Sequence, residues 1–258
     1  MKRIVLAVLL AAAGAGVAAQ SPPPQLGALA PENLKKPRPK APFDLTGTWQ
    51  HDGRFSTWRF VPEAGQFKLT PEAQKQYDAG NDAIKKGGAY HDDIGQCWPA
   101  GMPLIMTRVW PIAVIQVPTA IYMIPAFENE IRIIYLDGRK HTPADEVVRT
   151  FNGESIGRWE GNDLVVDTMY FPGHHHWMDQ GGASVPVSED AHMIERYRMI
   201  KDGVFEVEYT MTDPKSWAGE WKFTKRFNRK DDTDVTEVQC LPDLNAHLPA
   251  TSSKNLVK

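Results

Sequence analysis

The chain has 258 residues, a formal net charge of −3, and 42% hydrophobic residues. That size and composition suit one ordinary globular domain. Mild acidity, with no basic block beyond Lys35–Lys40, excludes nucleic acid as an expected partner.

The first residues, "MKRIVLAVLLAAAGAGVAAQ", read as a secretory signal peptide over 1–19. Lys2 and Arg3 form the basic start, Ile4 to Ala13 a short apolar run, and Val17-Ala18-Ala19 a small-residue cleavage site. Cleavage removes two positive charges and takes the net charge from −3 to −5. No later apolar run approaches the ~20 residues that cross a bilayer, so no membrane partner is expected after cleavage. The expected location is periplasmic or secreted. Residues 20–42 hold seven prolines and few large apolar side chains, so a disordered leader is expected there.

The body, 43–245, is dominated by strand signals. "GTWQHD" and "STWRFVPE" come first, and then a helix is predicted over "LTPEAQKQYDAGNDAIKKGG". Thr70 is its N-cap, Pro71 its first residue and Gly87-Gly88 its stop, and its thin apolar face places it outside the sheet. "IAVIQVPTAIYMIPA", "IRIIYLDG", "SIGRWEG", "DLVVDTMYF", "MIERYRMI", "VFEVEYTMT", "EWKFTKRFNR" and "TEVQCLP" follow as strands, most joined by short Gly, Asn or Asp turns. Phe205, Val207, Tyr209 and Met211 alternate onto one face. The fold class expected is all-β: an antiparallel up-and-down lipocalin-like barrel, or a strongly curved sheet, with one peripheral helix. The tail, 246–258, reads as loose.

"DLTGTWQ" (Asp44 to Gln50) resembles the Gly-x-Trp opening of lipocalin-like barrels, where the tryptophan plugs one end. "ESIGRWEGNDLVVDTMYF" (Glu154 to Phe171) is similar to the most recognisable segment of a large, mostly uncharacterised family of secreted bacterial proteins. "CWPAGMP", "HMIERYR" and "VQCLPDLN" match that family in the same order, so the resemblance covers roughly 43–245. It implies export and brings no activity. The run "HHHWMDQGG" departs from the family's pattern, in which only Trp, Asp and Gly are regular.

Four constellations carry possible chemistry. A hairpin centred on Gly161-Asn162 pairs Trp159 with Leu164 and sets Arg158 diagonally from Asp167, either as a cross-strand ion pair or as a substrate-holding arginine. In "MIERYRMI", Met193, Glu195, Tyr197 and Met199 share an apolar face. A carboxylate there is either a raised-pKa acid or base or the partner of a core arginine, and Glu195 is the leading catalytic candidate. The histidine run of Phe171 to Gly182 comes third. In an extended segment His174 and His176 converge and His175 turns away. That spacing serves proton transfer, or a divalent metal if Asp179, His192 or Glu195 adds a ligand, with metal not favoured; following "FPG", the run also reads as an exposed loop tip. Trp177, Asp179, His192, Arg158 and Tyr197 are the expected substrate contacts. Last, Cys97 and Cys240 form an even pair, read as a disulfide in an oxidising compartment. "GESIG" around Ser155 imitates a nucleophile elbow but leads into a strand, and is discounted.

These readings favour an exported, cofactor-independent enzyme of lyase, hydratase or isomerase type acting on a small apolar or aromatic compound. A non-catalytic lipocalin-like binder and a metal-dependent enzyme using His174 and His176 are the alternatives. The sequence is silent on oligomeric state.

Overall fold

The structure is a computed structural model; it describes residues 25–38, 41–57, 60, 68–86, 94, 97–127, 130–179 and 184–245. The expected signal peptide, the loose tail, Gly87-Gly88 and most of "STWRFVPE" lie outside these residues.

The strands, in chain order, are β1 (Gly47–His51), β2 (Lys68–Leu69), β3 (Ile112–Val117), β4 (Ala120–Pro125), β5 (Arg132–Tyr135), β6 (Glu154–Glu160) and β7 (Asp163–Met169). They continue as β8 (Trp177–Asp179), β9 (Ser184–Pro186), β10 (His192–Lys201), β11 (Val204–Thr212), β12 (Trp217–Ala218) and β13 (Trp221–Arg229). Nine of them close a barrel in the order β1-β13-β11-β10-β7-β6-β5-β4-β3. The fold is therefore an all-β barrel. Two small ribbons, β12 with β2 and β8 with β9, sit beside it.

Alternation sets the inside of the barrel. Phe205, Val207, Tyr209 and Met211 of β11 are buried, as are Met193, Glu195 and Tyr197 of β10 and Leu164 and Val166 of β7. Trp49 is fully buried; its indole N–H donates to the Leu45 carbonyl at 2.8 Å, its ring packs edge-on to Phe205, and the Arg229 guanidinium lies 4.8 Å from it. Side chains fill the interior, as in other small barrels.

Eight of the nine neighbour pairings are antiparallel; β5 and β6 run parallel and share only Ile134↔Ser155 and Tyr135↔Ile156. A strict up-and-down meander fails at this one seam. A parallel pair needs a crossover, and here residues 136–153 supply it without a helix.

The helices are α1 (Pro31–Leu34), α2 (Pro71–Lys85) and α3 (Pro242–Asn245). In α2 the Ala73 N–H donates to the Thr70 hydroxyl at 3.3 Å, so Thr70 caps as expected, and Ala73 and Tyr77 face the core. The leader departs from the disorder expected of it: α1 makes one turn, Asn33 donates to the Gly27 carbonyl at 2.8 Å, and Ala28 is buried against the β3–β4 turn through Thr119. "TEVQCLP" is not a strand either. It makes a single parallel bridge, Phe127↔Val238, just beyond β4, and then enters α3. The Cys97–Cys240 disulfide is formed, with the two Cα atoms 5.4 Å apart.

Candidate functional site

Glu195 projects into the barrel and is wholly buried. Both of its oxygens take Arg132: Nη1 donates to Oε1 at 2.9 Å, and Nη2 donates to Oε2. The Tyr197 hydroxyl also donates to Oε1, at 2.9 Å. Ser155 and Thr168 accept from the far side of the guanidinium at 3.1 Å each. Burial works against the Arg132 charge, but Glu195 and the phenol of Tyr197 beside it hold the guanidinium above its ordinary pKa. Burial and the Glu195 charge push Tyr197 well above its ordinary value. A fork with both ends satisfied keeps two charges in an apolar interior. Ser155, in a strand and bonded to Arg132, has no elbow around it.

The seam opens outward into a cleft of about 510 Å³ between β5 and the crossover. Its walls include Ile131, Ile133, Val147, Val148, Tyr135 and Phe151, and its polar groups include Glu130, Thr142, Asn152 and Glu154. The cleft exists because β5 and β6 diverge after two ladder pairs; Asn152 reaches back over the gap to the Ile131 carbonyl at 3.4 Å. Gly153, at φ +64°, brings the chain close under Met169, where an added Cβ would stand 2.5 Å from the Met169 carbonyl oxygen.

Two acids in this cleft differ in environment. Glu130 is 8% exposed and accepts from the Ala100 N–H at 2.7 Å and the Gly101 N–H at 3.1 Å. Burial pushes its carboxyl above the ordinary value, in spite of those bonds. Glu154 accepts from the Thr142 N–H at 2.9 Å and hydroxyl at 2.5 Å, and faces His141 Nδ1 at 2.8 Å. Burial works to raise Glu154, but Thr142 and His141 together hold it below the ordinary value. Beyond His141, Asp167 Oδ1 lies 3.3 Å from His141 Nε2 and 2.8 Å from His192 Nε2.

The histidine run does not behave as an extended strand. Gly173 at φ 72° and His175 at φ 52° turn the chain, so the two-residue alternation is lost. His174 is exposed and donates from Nδ1 to the Pro172 carbonyl at 3.0 Å. His175 stacks on Trp98 at 3.9 Å. His176 is buried, donates from Nε2 to the Met102 carbonyl at 2.8 Å, and leaves Nδ1 unpartnered. Burial lowers its pKa to about 4. The expected convergence of His174 and His176 is thus replaced by one ring outside and one inside. Both rings flank Phe151, a wall of the cleft, at 6.4 and 5.8 Å. Among the described residues no three His, Cys, Asp or Glu side chains are grouped to hold a metal ion.

The hairpin register is as the sequence predicts, with Trp159↔Leu164 and Ile156↔Asp167. Arg158, however, pairs with Glu160 at 2.7 Å and not with Asp167, because His141 and His192 occupy that carboxylate. Tyr197 lies in the barrel interior with Glu195. Trp177 and Asp179 belong to β8, paired with Pro186 and Ser184; the Asp179 side chain lies outside the described part.

Sequence reasoning passed over Arg132, Glu130, His141 and Glu154. Arg132 had a signal: it shares strand parity with Ile134, which marks a charge facing the core. His141 and Glu154 had none, because only barrel closure brings a loop histidine to the start of β6.

Fold and site together define an all-β barrel protein with a solvent-open, acid-lined cleft at its one parallel seam. A scan against protein-family models finds no match, and a search of curated proteins finds none.

Proposed function

We propose that this protein is an exported enzyme that binds a small, largely apolar or aromatic compound in the seam cleft and moves protons on it without a cofactor. The observation that carries this reading is the pair of carboxylates in one apolar-walled cleft whose pKa values are pushed in opposite directions. Such a divergence of environments is the pattern that sets a proton donor apart from an acceptor. Glu154, backed by His141, takes the proton; Glu130, which holds its proton more tightly, donates one. The resulting chemistry is elimination, hydration or isomerisation. Export rests on the N-terminal sequence, on the resemblance to secreted bacterial proteins, and on the disulfide, which persists in oxidising compartments.

Carrier function inside the barrel is disfavoured by its filled interior; a binder would use the same cleft. The test is a screen of small aromatic and apolar carbonyl and hydroxy compounds, with conversion read by mass spectrometry. Glu154→Gln should lose on the order of 10²–10⁴-fold in turnover while its melting temperature holds. Normal turnover in Glu154→Gln sinks the assignment. Saturable binding with no compound converted leaves a binding protein instead.

A further inference from the structure

We propose that Glu154, His141, Asp167 and His192 form a proton relay along the outer wall of the barrel, connecting the seam cleft to bulk water. This rests on the reading of the cleft as an acid/base site. A half-buried base in a cleft that a bound compound fills must shed each proton it takes by another route before it can turn over again, and the structure supplies a hydrogen-bonded path for that.

The four side chains come from three strands and the crossover. Glu154 opens β6 and lines the cleft. Asp167 sits opposite Ile156 and Ile194, and so on the outer face. His192 opens β10 on the same face, 39% exposed, while His141 and Glu154 are 19% and 17% exposed. The three links measure 2.8, 3.3 and 2.8 Å. One oxygen, Asp167 Oδ1, serves both imidazoles, so between the last two links the proton only has to turn about that oxygen.

The transfers balance one proton at a time. Protonated Glu154 gives its proton to His141 Nδ1. His141 releases the Nε2 proton to Asp167 Oδ1. Asp167 passes it to His192 Nε2, and His192 sheds its Nδ1 proton to water. The outward pass leaves His141 protonated at Nδ1 and His192 at Nε2; the reverse order, which returns a proton to the cleft, or proton exchange of both rings with water resets the path. No electron pair leaves the network and no co-reactant is required.

Other charged and polar groups frame the path. Thr142 binds Glu154 from the crossover, and Arg139, itself paired with Asp137, acts on Glu154 through its charge. The Tyr170 ring stands edge-on to His141 at 5.8 Å, with its hydroxyl on the Thr142 carbonyl and Arg149 5.7 Å over its face. Thr212 of β11 is the cross-strand neighbour of His192. The hydrogen bond to Asp167 raises the His192 pKa, so the outward step sets in at a higher pH than it would for a free imidazole.

The test has two readouts on the full chain. In histidine-labelled protein, NMR titration should show His192 with a raised midpoint, and a chemical-shift change at the His141 ring that follows the His192 midpoint. Asp167→Asn should remove both. In turnover of a compound found by the screen, measured in dilute buffer, His192→Ala should fall toward 10²-fold, the order of magnitude at the low end for an acid–base group. Added imidazole should restore it, as it would not restore a group that only packs. Independent titrations of the two rings overturn the relay and leave the cleft reading intact. Coupled titrations with full turnover in His192→Ala also overturn it, since the bonds then serve structure. If the wild-type chain converts no compound, the cleft reading falls and the relay falls with it.

Discussion

At the residue scale, burial decides what each ionisable group can do. Arg132 and Glu195 face each other in the core, with Tyr197, Ser155 and Thr168 completing their hydrogen bonds, so Glu195→Gln leaves a guanidinium without its counter-charge. Denaturant unfolding of that variant should show a loss of about 3–5 kcal/mol; unchanged stability would remove the ion pair as a structural element. His176 gives a second, independent check. Its folded pKa of about 4 lies below the unfolded value of 6.5, so between these values the unfolded chain binds a proton that the folded chain does not. Stability from the neutral ring is fully present above pH 6.5 and is lost as pH falls toward 4, by roughly 2–3 kcal/mol. Denaturation curves from pH 7 to pH 4 should show that slope, and His176→Gln should flatten it. The two strong sequence signals in these segments had different fates. The alternation of "MIERYRMI" placed Glu195 correctly on the inner face, since period-2 burial is local information. In the histidine run, positive φ at Gly173 and His175 breaks the period that convergence needs, and His174 stands exposed as the loop-tip alternative has it.

At the element scale, the seam between β5 and β6 is the feature on which the site depends. Short turns and alternation made the β6–β7 and β10–β11 hairpins legible, the first down to its register at Gly161-Asn162, whereas the pairings of β1 with β3 and β13 and of β7 with β10 join distant segments. The parallel pair was not legible, because no local pattern in residues 136–153 says which way the chain returns. Glu154 and His141 meet only through that return, which is why the cleft left no trace in the sequence. Gly153 holds the turn into β6 in a left-handed conformation with backbone close above it. Gly153→Ala should cost about 2 kcal/mol or more, through strain and a Cβ pressed on the Met169 carbonyl. Thermal melting checks this, and a melt within one degree of wild type would mean that the turn is not so constrained.

At the scale of the whole molecule, the Cys97–Cys240 bridge fastens the segment after β13 to the loop before β3, across 143 residues. That segment also meets the barrel where the Lys230 N–H donates to the Thr48 carbonyl and at the Phe127↔Val238 bridge, and the disulfide anchors its far end. Reduction should lower stability by about 2–5 kcal/mol, read as a shift of the guanidinium midpoint with and without reductant. Thiol titration of the denatured, unreduced chain should find no free sulfhydryl. The central claim is that the molecule works at the seam cleft and not inside the barrel. Backbone hydrogen–deuterium exchange with a compound from the screen bound at saturation tests it most directly. Protection should concentrate in residues 130–135 and 147–154, on the two walls of the cleft. Protection confined to the groove formed by Trp110, Phe127 and residues 238–244, or to the inward-facing strands β10 and β11, would contradict it.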